Sequence, residues 1–305
     1  MNSGQRILVA GSINTDLVVR TRRAPEAGET VTGTSFATFG GGKGANHAVA
    51  AARAGGKVAM LGGVGIDDFG RQRLSDLEAE FVSTKTVIKT EAASSGVALI
   101  TVEESGQNRI AYVPGASWEV APKDALAALD AWKPACLLTT LELRHDTLKA
   151  LYDEARSQNL TIVCSGTPEP SDGREIIGLA DVLIVNEQEA VELAGTAEGG
   201  DWSRVAAKLS ELGPSIVVLT LGADGALISE RGVATPVPTI AVDVVDTTGA
   251  GDAFSGAFTA MLAGGKSATE AAEMAVIAGS LAVTRAGAQP SIATLEEIKA
   301  AYASR

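Results

Sequence analysis

Four short runs between positions 135 and 220 are apolar throughout and are separated by helical patterns. They are Ala135-Cys136-Leu137-Leu138-Thr139, Thr161-Ile162-Val163-Cys164, Val182-Leu183-Ile184-Val185 and Ile216-Val217-Val218-Leu219-Thr220. A strand with no polar face must be covered on both sides. This alternation therefore predicts an α/β fold, a mostly parallel central sheet with helices on both faces. Ile7-Leu8-Val9-Ala10 and Val58-Ala59-Met60-Leu61-Gly62 read as further strands of the same core. Open sheets of this class bind ligands just past the carboxyl ends of their strands. Polar residues stand there in four places: Asn14 and Asp16; Glu142; Asn186 with Glu189; and Thr220 with Gly222, Asp224 and Gly225. Each set alone is compatible with surface decoration, and Asn14 and Asp16 with an Asx turn. On one sheet edge they predict a common cleft.

Leu17 to Phe39, including Glu29-Thr30-Val31-Thr32-Gly33-Thr34, is short and alternating, as are Ser95–Val102 and Arg109–Val113. These segments predict exposed antiparallel strands that join in one small accessory sheet. Asp67-Asp68-Phe69-Gly70 opens a charged helix to about Phe81, and an alanine-rich helix is expected from His47 to about Ala54. Before it, Gly40, Gly42 and Ala45 formally satisfy the dinucleotide fingerprint. What precedes them is not the long buried strand that a dinucleotide fold places there, nor the strand–turn–helix a nicotinamide oxidoreductase needs. The glycines instead suit close approach to a small ligand, with Lys43 and Asn46 as polar contacts. Glu198-Gly199-Gly200-Asp201 reads as a loop, and neither an internal repeat nor a linker is found.

Asp246-Thr247-Thr248-Gly249-Ala250-Gly251-Asp252 is a glycine-rich turn that opens a helix. Ile240–Val245 before it is β-branched and reads as a strand; Phe254, Phe258 and Leu262 mark one helical face, and Gly264-Gly265 ends the helix. A helix N-terminus reached through glycines is an anion site. Asp252 in the first turn suits the helix dipole whatever the function, so a plain cap is one reading. A carboxylate beside an anion hole is the other, and supplies the parts of phosphoryl transfer to a hydroxyl. Gly265-Lys266-Ser267 is not a P-loop, because position 260 is alanine.

The 305 residues carry a net charge of −12, which disfavours nucleic acid and anionic membrane as partners. No apolar run approaches membrane-spanning length, and the N-terminus lacks the pattern of a secretory signal. Cys136 and Cys164 lie in or beside apolar runs and read as buried reduced thiols of a cytoplasmic protein. His47 and His145 are too far apart in sequence to suggest a metal site.

Five motifs in order carry a family resemblance: Gly11-Ser12-Ile13-Asn14-Thr15-Asp16, Gly42-Lys43-Gly44-Ala45-Asn46, Asn186-Glu187-Gln188-Glu189, Asp246 to Asp252, and Thr284-Arg285-Ala286-Gly287-Ala288-Gln289-Pro290-Ser291. Over nearly its whole length the chain resembles the phosphofructokinase-B sugar kinase family. The resemblance implies one ribokinase-like domain over residues 1–305, with a β-sheet lid from about 15–38 and 96–114 that also clasps a homodimer. It implies Asp252 as the base and the backbone N–H groups of Gly249, Ala250 and Gly251 as the anion hole. Asn14, Asp16, Gly42, Lys43, Asn46 and Glu142 would bind sugar hydroxyls. Asn186 and Glu189 would serve phosphate and hydrated Mg²⁺. Thr220, Gly222, Asp224, Gly225 and Gly251 would line ATP. Asp246, Thr248, Ala282, Arg285, Gly287 and Ser291 would surround a monovalent cation, K⁺.

The implied activity is transfer of the γ-phosphate of ATP to the 5-hydroxyl of D-ribose. A kinase of another sugar or nucleoside, or a non-catalytic sugar-binding protein, are the alternatives. With aromatic residues only 4% of the chain, a stacking slot for a nucleobase is poorly provided for. Ser165-Gly166-Thr167-Pro168 and Gly115-Ala116-Ser117 depart from the family's Asn-Pro and Gly-Ala-Asn. Both departures bear on which sugar fits.

Overall fold

The computed structural model describes residues 6–166, 173–196 and 200–305. The Thr167-Pro168 pair and the Glu198-Gly199 part of the expected loop lie outside the described residues. In chain order the strands are β1 (Arg6–Ala10), β2 (Asn14–Thr21), β3 (Gly33–Gly41), β4 (Lys57–Leu61), β5 (Gly63–Gly65), β6 (Ile88–Thr90), β7 (Gly96–Glu103) and β8 (Asn108–Val113). They continue with β9 (Cys136–Thr140), β10 (Thr161–Ser165), β11 (Val182–Asn186), β12 (Ile216–Thr220), β13 (Ala226–Glu230) and β14 (Val233–Val237). The helices are α1 (Lys43–Arg53), α2 (Asp68–Ala79), α3 (Pro122–Trp132), α4 (His145–Ser157), α5 (Gly173–Ile177) and α6 (Glu187–Ala194). After them come α7 (Trp202–Ser210), α8 (Ala250–Ala263), α9 (Ala268–Ala282), α10 (Ala288–Ser291) and α11 (Leu295–Ala303).

The main sheet runs β14-β13-β12-β11-β10-β9-β1-β4. Its strands from β4 to β12 are parallel, as their unbroken apolar character predicts. Successive residues divide between two cores. Ile7, Val9, Val58, Met60 and Leu138 pack with α1, α8 and α9 on one face; Leu8, Ala10, Leu61, Leu137 and Ile162 pack with α3 and α4 on the other. Each fully buried Leu or Ile is worth about 1.5–3 kcal/mol of transfer free energy. The parallel strands all point their carboxyl ends to one edge, and that edge carries Ser12, Glu142, Ser165, Asn186 and Thr220.

The edge hairpin β13–β14 was not foreseen. Its two-residue turn, Arg231-Gly232, has φ of +51° and +82°, the left-handed pair that lets a hairpin follow the strand twist. This hairpin takes the place at the sheet edge, and Ile240–Val245, expected as a strand, finds no ladder partner. Val244 and Val245 are exposed, and the Val245 N–H bonds instead to the Val283 carbonyl at 2.8 Å.

The accessory sheet has the order β3-β2-β7-β8. Its β2–β3 and β7–β8 pairs are antiparallel as expected, but the central β2–β7 pair is parallel. Glu29–Thr32 precede β3 rather than joining it, so the strand runs later than its alternation suggested. Register places Asp16, Ala98 and Tyr112 on one face, while Leu17, Phe36, Val19 and Leu99 share the other. No helix among the described residues is long and apolar enough to cross a membrane.

Candidate active site

β3 passes through Gly42 directly into α1, which begins at Lys43, four residues earlier than expected. A strand–turn–helix therefore does stand at Gly40–Ala45, contrary to the sequence reading, though its strand is of the exposed antiparallel kind that the alternation predicts. That strand is largely exposed and antiparallel to β2, not the buried parallel strand of a dinucleotide fold. Gly42 has φ +92°, and a Cβ there would lie 2.7 Å from the Ser12 carbonyl oxygen and 2.9 Å from the Asn14 nitrogen. The protein's own backbone, rather than a ligand, already requires this glycine.

Helices α1 and α8 cross where Gly256 faces Ala50 and Ala51. A Cβ at 256 would sit 2.4 Å from that of Ala50, so only glycine permits the approach. The crossing brings Asn46 and His47 against Asp252. Asn46 Nδ2 donates to Asp252 Oδ2 at 2.8 Å, and His47 Nε2 lies 3.4 Å from Asp252 Oδ1. Burial holds the His47 imidazole down at about 3, helped by Lys43, so it is neutral and the contact is no ion pair. The His47 ring also lies 3.5 Å from Ser165 Oγ, which bonds Ser255 Oγ at 2.9 Å.

The Asp252 side chain is 17% exposed. Burial pushes its carboxyl up to about 7; the Asn46 bond and Lys43 oppose the shift, while Glu142 and Asp16 add to it. Asp252 makes no capping bond, contrary to the plain-cap reading. Gly249, with φ +79°, is the N-cap of α8. Among the described residues the N–H groups of Gly249, Gly251 and Asp252 find no acceptor, whereas Ala250 N–H reaches the Thr247 carbonyl at 3.3 Å. A Cβ on Gly251 would meet nothing within 4 Å, so the space over this helix end is open.

Beside Asp252 lies a set rich in acceptors. Asn14 is buried, and its Oδ1 has no partner. Asp16 accepts no hydrogen bond from the described residues; burial raises its carboxyl to about 6 against the pull of Arg73. Glu142 Oε2 accepts from Ser12 Oγ at 2.6 Å and from Thr140 Oγ1 at 3.0 Å. Tyr112 of β8 stands near Asn14 and Ser12, and burial with the nearby Glu142 pushes its phenol up to about 12. Buried acceptors without donors cost free energy unless a ligand brings them, and a neutral polyol is such a ligand.

Lys43 Nζ stands 4.0 Å from Glu189 Oε1 and links this set to the end of β11. Asn186 and Glu189 close a reciprocal capping box on α6, each bond 2.9 Å, which engages Glu189 Oε2 and leaves Oε1 toward Lys43. Thr220 pairs in register with Asn186. Gly222–Asp224 form a short turn at the end of β12, whereas Gly225 packs under the Val237 carbonyl and serves the hairpin. Among the described residues no three His, Cys, Asp or Glu side chains gather as a metal cage. A divalent ion here fits the Mg²⁺ pattern of one carboxylate, water and substrate phosphates.

Asp246 ties two loops together: Oδ1 accepts from Thr248 N–H and Oδ2 from Gly287 N–H, both at 2.9 Å. Ala282 ends α9 with its carbonyl accepting from Arg285 N–H, and buried Ser291 donates to the Ala288 carbonyl at 2.7 Å. Arg285 turns outward to pair with Glu297. Carboxylate and carbonyl oxygens on adjoining loops are a donor set suited to a hard cation.

Of the expected residues, Asn14, Asp16, Lys43, Asn46, Glu142 and Asp252 are thus brought to one cluster, and Glu189 adjoins it through Lys43. Sequence reasoning missed Ser12, Tyr112, Arg73, His47 and Gln289. Ser12 and Gln289 stood inside motifs already marked; Tyr112 was visible only as one position of an alternating strand.

Residues 5–295 match the pfkB family carbohydrate kinases. The chain is 37% identical to a ribokinase of Schizosaccharomyces pombe, covering 97% of both proteins. It is 33% identical to a deoxyribokinase of Salmonella typhi, covering 95% of this chain and 96% of that one. The structure of Arabidopsis thaliana ribokinase complexed with ribose and ATP superposes with a TM-score of 0.90 at 28% identity, over 98% of each chain. With a family match over residues 5–295 and a superposition over 98% of its length, this chain belongs to the pfkB family of carbohydrate kinases.

Proposed function

We propose that the protein transfers the γ-phosphoryl group of ATP to the 5-hydroxyl of D-ribose. The observation that carries the reading is the Asp252 carboxylate, raised to about 7, beside the uncommitted N–H groups of Gly249 and Gly251. A base of that strength is poised at working pH. Asp252 takes the proton of the 5-hydroxyl as that oxygen bonds to the γ-phosphorus. The bond from phosphorus to the β–γ bridging oxygen breaks, and ADP leaves with the electron pair. The N–H groups of Gly249, Gly251 and Asp252 hold the transferring charge; Ala250, expected among them, is partly engaged with Thr247.

Asn14, Asp16 and Glu142 accept hydrogen bonds from the sugar hydroxyls and Lys43 donates, with Asn46 between sugar and base. An acceptor-rich, carboxylate-lined pocket favours a neutral sugar over a sugar phosphate. The relatives named ribokinase and deoxyribokinase leave 2-deoxyribose as a second reading, and the orphaned Asn14 Oδ1 favours ribose because a 2-hydroxyl can supply its missing donor.

Asn186 and Glu189 would hold hydrated Mg²⁺, and Thr220, Gly222 and Asp224 would border the nucleotide. The loops of Asp246, Thr248, Ala282, Arg285, Gly287 and Ser291 would hold K⁺. When bound, these ions supply positive charge that offsets the phosphates and fixes the anion-hole loop. We assign residues 1–305 to one kinase domain, with the accessory sheet as its lid and the clasp of a homodimer. The buried thiols of Cys136 and Cys164, raised by burial to about 12 and 11, suit a reducing cytoplasm.

Incubation with ATP, Mg²⁺ and ribose, followed by ³¹P and ¹³C NMR, tests the reading. A phosphate ester on C5 supports it; an ester on C1, or none, overturns it.

A further inference from the structure

Asn46 uses both ends of its carboxamide. Its nitrogen donates to Asp252 Oδ2 at 2.8 Å, and its oxygen accepts from Gln289 Nε2 at 3.0 Å. A carboxamide has nearly the same shape when turned over, so its neighbours alone decide which end faces which way. Asp252 when ionised can only accept, and Gln289 presents a donor. The backbone that carries Gln289 is itself fixed. The Gln289 carbonyl accepts from Arg53 Nη1 at 3.0 Å, and the same nitrogen holds the Ile292 carbonyl at 2.6 Å. Arg53 is clamped to Glu80 by two bonds of 2.8 and 2.7 Å. Gly40 gives the amide room, since a Cβ there would stand 2.8 Å from Gln289 Oε1. A continuous chain of contacts, Glu80–Arg53–Gln289–Asn46–Asp252, therefore runs from the C-cap of α2 to the base.

We propose that Gln289 is a positioning residue for phosphoryl transfer: it holds the Asn46 carboxamide with its nitrogen toward Asp252, and so keeps that carboxylate aimed and able to accept the proton. The inference rests on Asp252 being the base. If Asn46 turned over, its oxygen would face the carboxylate, and an N–H bond that favours the ionised form would become a repulsion. The other charged or titratable groups around Asp252 are Lys43 and His47 from α1, Asp16 from β2 and Glu142 after β9. Gln289 substitutions leave all four in place.

The test is the pH dependence of kcat/KM in Gln289→Glu and Gln289→Met, at saturating ATP, Mg²⁺ and K⁺. Glutamate presents an acceptor to Asn46 and favours the turned-over amide; methionine fills the space without a donor and guards against misfolding of the first variant. Losing the N–H bond raises the proton affinity of Asp252, so the acid limb moves to higher pH, by about one pH unit in Gln289→Glu and less in Gln289→Met. kcat falls at least about tenfold in Gln289→Glu, while the KM for ATP stays within about twofold. A purely structural role would lower thermal stability and active fraction but leave the limb where it is, and that result overturns the proposal. If Asp252→Asn keeps near-wild-type kcat, the base reading fails and takes the positioning role with it. If Asp252→Asn is inactive and both Gln289 variants keep the wild-type limb, the positioning role alone is wrong.

Discussion

Asn46 and Asp252 are 206 positions apart in the chain, yet Asn46 Nδ2 donates to Asp252 Oδ2 at 2.8 Å. The contact exists because α1 and α8 cross closely at Gly256, and it joins a side chain proposed to meet the sugar to the group proposed as base.

Asp252→Asn removes the proton acceptor but preserves the shape and the contact with Asn46. kcat is expected to fall by roughly 10²–10⁴, with sugar affinity within a few-fold by isothermal titration. Unchanged kcat would take Asp252 out of the base role.

The raised Asp252 carboxyl, about 7, has two consequences for pH. The base works deprotonated, so kcat/KM should fall on the acid side with an apparent pKa near 7. The folded pKa lies above the unfolded value, so this group's stabilisation is full below about 4 and is lost as pH rises through 7. Above that pH the folded protein carries a buried charge that Asp252→Asn removes. Thermal melts of the free protein should show the variant higher at pH 8 by at least about 2 °C, and the gap should close below pH 4. An equal gap at both pH values would contradict the burial argument.

Cation dependence follows from Asp246, which pins the anion-hole loop to the Arg285–Ser291 loop. Activity should rise with K⁺ and fall when Na⁺ or tetramethylammonium replaces it. Identical rates in potassium and tetramethylammonium buffers would remove the monovalent site.

The face of the accessory sheet opposite Asp16 exposes Phe36 and Leu99, at 64% and 52%. Apolar side chains on an open sheet invite a second copy. Sedimentation at micromolar concentration should show a dimer that becomes a monomer in the double variant Phe36→Glu, Leu99→Glu. A fully active wild-type monomer would refute the clasp.

Much of this was legible in the sequence because the main sheet is buried on both faces, and such strands announce themselves by unbroken apolar runs. Asn14, Asp16, Glu142 and Asn186 were legible for a related reason: a parallel sheet sends all its carboxyl ends to one edge. Ile240–Val245 misled because a β-branched run has strand character whether or not a neighbouring strand is free to pair with it. The parallel β2–β7 pair was hidden because register and direction are long-range properties that alternation does not encode. Gln289 meets its partner Asn46 across 243 positions, and nothing local marks such a contact.

The most direct measurement is kcat/KM, by ADP release with ATP and Mg²⁺, across ribose, 2-deoxyribose, fructose, tagatose and adenosine. A pocket whose buried Asn14 Oδ1 awaits a hydroxyl donor should put ribose first, with 2-deoxyribose behind by up to roughly 10⁴-fold. Another substrate ahead of ribose by tenfold would contradict the ribose assignment, and no ADP release with any of the five would contradict the kinase.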